Sequence, residues 1–143
     1  MWHSCGLVSD GTAYCWGRNF FGALGTGDTT SHASPTPVAG GLQFSSIAIA
    51  ELSSCGLTQA GAAYCWGDNR DGQVGISPAP TAVSQPMAVE GGLTFVSLSA
   101  GGDHACGIAN SGLVYCWGAN ESGQLGVTSP ESSPTPVAVL GQR

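Results

Sequence analysis

Lysine is absent from this chain, and only three arginines, Arg18, Arg70 and Arg143, carry positive charge. Charged residues make up 8% of the sequence, and nine carboxylates leave a formal net charge of −6. That balance excludes a basic nucleic-acid surface, because neutralising phosphates needs clustered Lys and Arg. No apolar run approaches the ~18 residues of a membrane-spanning helix. Solvated disorder is excluded as well, since 42% of the residues are hydrophobic and disordered segments are poor in them. Signature motifs of catalysis are missing too: no G-x-S-x-G, no H-E-x-x-H and no glycine-rich phosphate loop followed by Lys. Nothing in the sequence asks for a cofactor or a metal. What the chain has in excess is turn chemistry, with 23 Gly and 8 Pro among 143 residues.

Those residues are spent on a repeat. CGLVSDGTAYCWGRNFFGALG at residues 5–25 recurs as CGLTQAGAAYCWGDNRDGQVG at 55–75 and as CGIANSGLVYCWGANESGQLG at 106–126, with offsets of 50 and 51 residues. Pro37-Val38-Ala39, Pro86-Met87-Ala88 and Pro136-Val137-Ala138 follow as a shared tail. Strand-like pieces LQFSSIAIA (42–50) and LTFVSLSAG (93–101) precede the second and third copies. The first copy lacks such a piece, Met1-Trp2-His3 running straight into the repeat without a signal peptide. A period near 50 rich in Gly and aromatics predicts β-propeller blades rather than helical solenoids. The expected fold is therefore all-β, with three repeats: residues 1–41 without a leading strand, 42–92 and 93–143. Residues 45–50 suit a strand packed on both faces between blades.

Within each copy two short strands flank a turn that ends in Gly11, Gly61 or Gly112, where a type I turn followed by a left-handed residue favours glycine. In that register Cys5 faces Cys15, Cys55 faces Cys65 and Cys106 faces Cys116. Six cysteines allow 15 connectivities, and the repeat selects this one. Directly opposed Cβ atoms lie close enough for a cross-strand disulfide, each contributing about 2–3 kcal/mol. Disulfides imply an oxidising setting: extracellular, periplasmic or cell-surface. Buried free thiols in a reducing compartment and zinc thiolates are the competing readings.

The repeated pattern resembles that of the regulator of chromosome condensation family, and its cysteine pairs look like those of a bacterial, extracellular branch. The resemblance implies β-propellers, most often of seven four-stranded blades, so three repeats form an incomplete ring. The family's activities include guanine-nucleotide exchange on chromatin, β-lactamase inhibition and UV-B sensing, none of which the blade skeleton encodes.

Most chemistry-bearing residues sit at repeat positions and so read as structural. His3 and His104 share one position, where the second copy has Ser53, and His32 lies in a loop. Trp16, Trp66 and Trp117, with Tyr14, Tyr64 and Tyr115, suit packing between blades or a ligand-stacking ladder. Asn19, Asn69 and Asn120 suit side-chain turn caps, although Asp68 to Gly72 resembles a calcium loop loosely and Asn120-Glu121-Ser122 is a glycosylation sequon. Specificity belongs to the variable loops. Phe20-Phe21 replaces Arg70-Asp71 and Glu121-Ser122 of the other copies, and Phe20, Phe21, Arg18, Arg70 and Asp71 form the candidate interface, local packing being the other role open to the two rings. The function expected is a non-catalytic module for protein binding or structural assembly, self-associating as a homodimer or a head-to-tail polymer; the competing reading of the open arc is a fragment of a longer chain whose further blades complete the ring. An inhibitor of an extracellular enzyme and a hydrolase or lyase built in the propeller channel are the alternatives.

One sample separates these readings. Under non-reducing conditions the intact mass is expected six hydrogens below that of the thiol form, and light scattering is expected to give twice 14.3 kDa or a larger polydisperse species. A monomer with six free thiols overturns both the assembly and the compartment.

Overall fold

The computed structural model describes residues 2–78 and 80–142. Its eleven strands form three antiparallel sheets. The first contains β1 (His3–Leu7), β2 (Ala13–Gly17) and β3 (His32–Pro37). The second contains β4 (Phe44–Ile49), β5 (Ser53–Thr58), β6 (Ala63–Asp68) and β7 (Ala82–Ala88). The third contains β8 (Phe95–Gly101), β9 (His104–Ala109), β10 (Val114–Ala119) and β11 (Ser132–Ala138). Each sheet keeps its strands in chain order, as hairpin connections dictate. The sheets follow one another as blades in an open arc, with β1 touching β4 and β4 touching β8 along the inner side.

The middle hairpin of each blade has one register. Cys5 pairs with Cys15, Cys55 with Cys65 and Cys106 with Cys116. Each pair is a disulfide, with Cα atoms 4.1, 4.0 and 4.0 Å apart. On the outer side the ladder slips between Cys15 and Gly17, Cys65 and Gly67, and Cys116 and Gly118. The tryptophan between them therefore sits on a bulge, which re-aims its side chain. Gly67 completes the device at φ +104°, where a Cβ would stand 2.6 Å from the Leu52 carbonyl oxygen.

Re-aimed, the tryptophans knit the blades together. Trp66 Nε1 donates to the Ala23 carbonyl at 2.9 Å, and Trp117 Nε1 donates to the Gln73 carbonyl at 3.0 Å, each in the preceding blade. Both indoles are fully buried in one core cluster with Leu24 and Val74. On its own blade each ring meets the phenylalanine of the innermost strand, Phe44 or Phe95. That innermost strand is less covered than its sequence suggests. Ser45 and Ser46 are exposed and 47–49 are half-buried, because the strand lies on the open inner side of the arc.

Phe44 has room only because residue 56 lacks a side chain: a Cβ there would lie 2.5 Å from the ring. Gly56→Ala is expected to cost about 1–3 kcal/mol by overpacking, read as a lower thermal midpoint. An unchanged midpoint overturns this account of the seam.

Candidate interaction face

Strand direction sorts the connections onto two faces. The β1–β2, β5–β6 and β9–β10 hairpin turns share one face, and the long loops after β2, β6 and β10 share the other. The long loops are held by asparagine. Asn19, Asn69 and Asn120 are buried, and each Oδ1 accepts from the backbone N–H five residues on, at Leu24, Val74 and Leu125, all at 2.9 Å. Their Nδ2 groups donate to carbonyls further along, of Asp28 and Thr30, of Pro80, and of Val127 and Pro130. So engaged, Asn120 has no amide free for a glycan.

On this scaffold the first loop lies against the second blade, and a Cβ on Gly22 would fall 2.5 Å from the Ser84 Cα. The loop's single 3-10 turn, Phe20–Gly22, holds Phe21 at φ 57° and ψ 16°. A bulky residue in that left-handed region is strained and needs its surroundings to hold it there. The turn sends the two rings different ways. Phe20, 46% exposed, carries Arg18 over its face at 5.1 Å, and Arg18 also lies 5.5 Å from the ring of exposed Trp2. Phe21 carries Arg70 of the next blade at 4.4 Å. Arg70 grips Asp68 with two parallel hydrogen bonds, Nε to Oδ1 at 2.9 Å and Nη2 to Oδ2 at 2.7 Å. This pairing holds the guanidinium above its ordinary pKa.

Of the five residues singled out in the sequence, Arg18 stacks on Phe20 within the first blade and Arg70 of the second blade stacks on Phe21, as two separate cation–ring pairs. The Asp71 backbone N–H donates to Gln73 Oε1 at 2.9 Å. Nearby, burial first and then the charges of Asp71, Asp68 and Glu51 push the Asp103 carboxyl up. Two members escaped sequence reasoning. Trp2 stands at the position of Leu52 and Asp103, whose carbonyls accept as its own does, so it departs from the repeat unnoticed, and Asp68 was weighed as a calcium ligand, whereas its carboxylate is committed to Arg70. Among the described residues no group of His, Cys, Asp or Glu is arranged to hold a metal ion.

The histidines divide by environment. His3 Nε2 lies 2.8 Å from Ser54 Oγ, a spacing that suits a nucleophile and its base. Ser54 is fully buried, however, and its hydroxyl donates to the Ala23 carbonyl at 3.0 Å, the acceptor that also serves Trp66. The imidazole therefore donates into a structural network at the seam. His32 lies 3.3 Å from Asp28, near the surface of the first long loop.

Comparison with known proteins matches this geometry. A profile described as "Regulator of chromosome condensation (RCC1) repeat" matches residues 10–56, 60–108 and 111–143, and a second of the same description matches 44–73 and 95–124. The probable E3 ubiquitin-protein ligase HERC3 of Homo sapiens is 35% identical over 97% of the chain, which spans 14% of that protein. The ultraviolet-B receptor UVR8 of Arabidopsis thaliana is 30% identical over 96% of the chain, which spans 32% of it. Among solved structures, Prp20p of Saccharomyces cerevisiae is similar with a TM-score of 0.88 and 27% identity, over 96% of this chain and 36% of that one. Human WBSCR16 shows the same fold at 23% identity, with a TM-score of 0.88 over 98% of this chain and 36% of its own.

Burial pushes the His3 imidazole below its ordinary value of 6.5. The unfolded chain then binds a proton at a pH where the folded chain does not, so stability falls as pH drops below about 6.5. His3→Gln keeps a donor for Ser54 and is expected to flatten this part of the curve in melts between about pH 7 and 5. Identical slopes for the two proteins count against the buried neutral imidazole.

Proposed function

The chain belongs to the regulator of chromosome condensation repeat family, and from that membership we propose that it serves as a non-catalytic protein-binding module. The observation that carries this reading is the patch on the long-loop face. Both arginines in the described residues lie there, each stacked on aromatic rings, and Phe20 is left exposed. Aromatic and arginine side chains are the ones enriched where proteins meet. The described structure of Prp20p concerns its binding to Gsp1p and histones, so a relative with this fold takes proteins as partners. For this acidic, lysine-free chain the fitting partner surface is a carboxylate set beside an apolar side chain. Three disulfides support an oxidising compartment, extracellular, periplasmic or at the cell surface.

Self-association is a second element of the proposal. Trp66 and Trp117 each donate to the blade before, at Ala23 and Gln73. The corresponding donor and acceptor at the two ends of the arc are the half-exposed Trp16 and the Gln124 carbonyl. Set head to tail, two copies would repeat the internal seam once more.

Binders selected from a displayed library of natural protein fragments test the face. They are expected to map to it, with Arg18→Ala combined with Phe20→Ala weakening them about tenfold or more. Substituting Gln59, on the opposite hairpin-turn face, should leave them unaffected. Binders that ignore the Arg18 and Phe20 changes overturn the assignment.

A further inference from the structure

The three long loops share one frame and part from it at one residue. In each the asparagine Oδ1 holds the N–H five residues on at 2.9 Å. The glycine three after it takes the left-handed region, Gly22 at φ 79°, Gly72 at 85° and Gly123 at 78°. Its N–H returns to the asparagine carbonyl, at 3.2, 3.2 and 3.1 Å. The residue before that glycine breaks the likeness. Phe21 has φ 57°, and among the described residues no other non-glycine has positive φ, so its counterparts Asp71 and Ser122 keep ordinary backbone.

Propensity points the other way, since Asp enters the left-handed region more readily than a bulky aromatic residue. Packing on the next blade does not decide it either. A Cβ on Gly22 would fall 2.5 Å from the Ser84 Cα, and one on Gly72 equally 2.5 Å from the Pro134 Cα. What differs is the residue after the glycine, where Ala23 stands in place of Gln73 and Gln124. Gln73 Oε1 accepts the Asp71 N–H at 2.9 Å, and Gln124 Oε1 accepts the Ser122 N–H at 2.8 Å. One glutamine is buried and the other exposed, so the bond belongs to the loop and not to its burial. Alanine offers no acceptor. The first loop instead closes its turn with the Ala23 N–H, which donates to the Phe20 carbonyl at 3.1 Å.

We infer that Ala23 is the positioning residue of the first loop: without the glutamine of the other copies the Phe21 N–H is unclaimed, the turn inverts, and the ring is carried onto Arg70 of the next blade. Ala23 is 1% exposed, so a residue beneath the surface sets what the loop face presents. With glutamine there, Phe21 would stand as Asp71 and Ser122 do, and Arg70 would lose the ring 4.4 Å from its guanidinium. The bearing of this turn on recognition rests on the protein-binding reading of the face, whereas the turn itself does not.

The test is NMR of the isotope-labelled 143-residue chain, disulfides intact. Phe21 is expected to show the strong intraresidue amide-to-Hα NOE of a positive φ, and the Arg70 side-chain protons the upfield displacement of a group stacked on a ring. Ala23→Gln should abolish both. Ala23→Met has similar reach and no amide oxygen, and should keep both, which separates the hydrogen bond from bulk. Gln124→Ala, in the exposed part of the third loop, should give Ser122 the same NOE, and it carries the test if the buried position rejects glutamine. Both signals intact in Ala23→Gln, their equal loss in Ala23→Met, or an unchanged Ser122 in Gln124→Ala overturns the inference. Binders to the face that weaken about tenfold or more with Phe21→Ala should weaken alike with Ala23→Gln. Binders indifferent to both, with the two NMR signals lost in Ala23→Gln, count against the protein-binding reading and support the positioning role.

Discussion

The hydrogen bond from an indole N–H to a carbonyl of the preceding blade is the contact on which the rest of the structure depends. A tryptophan at that point of a regular strand would be fixed by the pleat. The bulge turns it instead, and the glycine after it takes a φ of +104° or +106° in the second and third blades to let the next strand pass. The acceptor must then be presented at the right height. Asn19 and Asn69 do so by holding the N–H groups of Leu24 and Val74, the residues next to the two acceptors. Gly25 leaves room for the ring, since a Cβ there would sit 2.7 Å from Trp66 Nε1. Trp-Gly-x-Asn-x-x-Gly-x-Leu/Val-Gly is thus a single device for joining one sheet to the next. An unmade bond from a buried indole would cost about 1–3 kcal/mol, and the apolar burial around it contributes more.

What the sequence revealed of this was whatever repeats within one blade. Glycine at the hairpin turns, opposed cysteines and turn-capping asparagines all act over ten or so residues, so their spacing exposes them. The blade fold followed from their recurrence. Contacts between blades were not legible in the same way. Trp66 reaches Ala23 and His3 reaches Ser54 over sequence separations of 43 and 51, and no local pattern marks the acceptor, which is a backbone carbonyl. The candidate interface was singled out because Phe20-Phe21 breaks the repeat. The stacking of Arg70 on Phe21 was not legible, because it depends on a left-handed turn at a residue type that gives no hint of one.

The economy of the scaffold explains where recognition can reside. The asparagine amides and the Trp66 and Trp117 indoles are consumed in holding loops and seams, and His3 and Ser54 close a network at the first seam. A substitution at those positions unmakes a buried bond and is felt in the fold before it is felt by any partner. Positions between them bear no such duty. At the two residues after the loop asparagine the blades carry Phe20-Phe21, Arg70-Asp71 and Glu121-Ser122, three unlike chemistries on one backbone frame. Cations are so scarce in this chain that stacking Arg18 on Phe20 and Arg70 on Phe21 sets the first long loop apart from the rest of an acidic molecule. Relatives described as a ligase, a receptor for ultraviolet-B and a Gsp1p- and histone-binding protein are similar to a frame whose recurring residues, in this chain, are occupied with holding blades together.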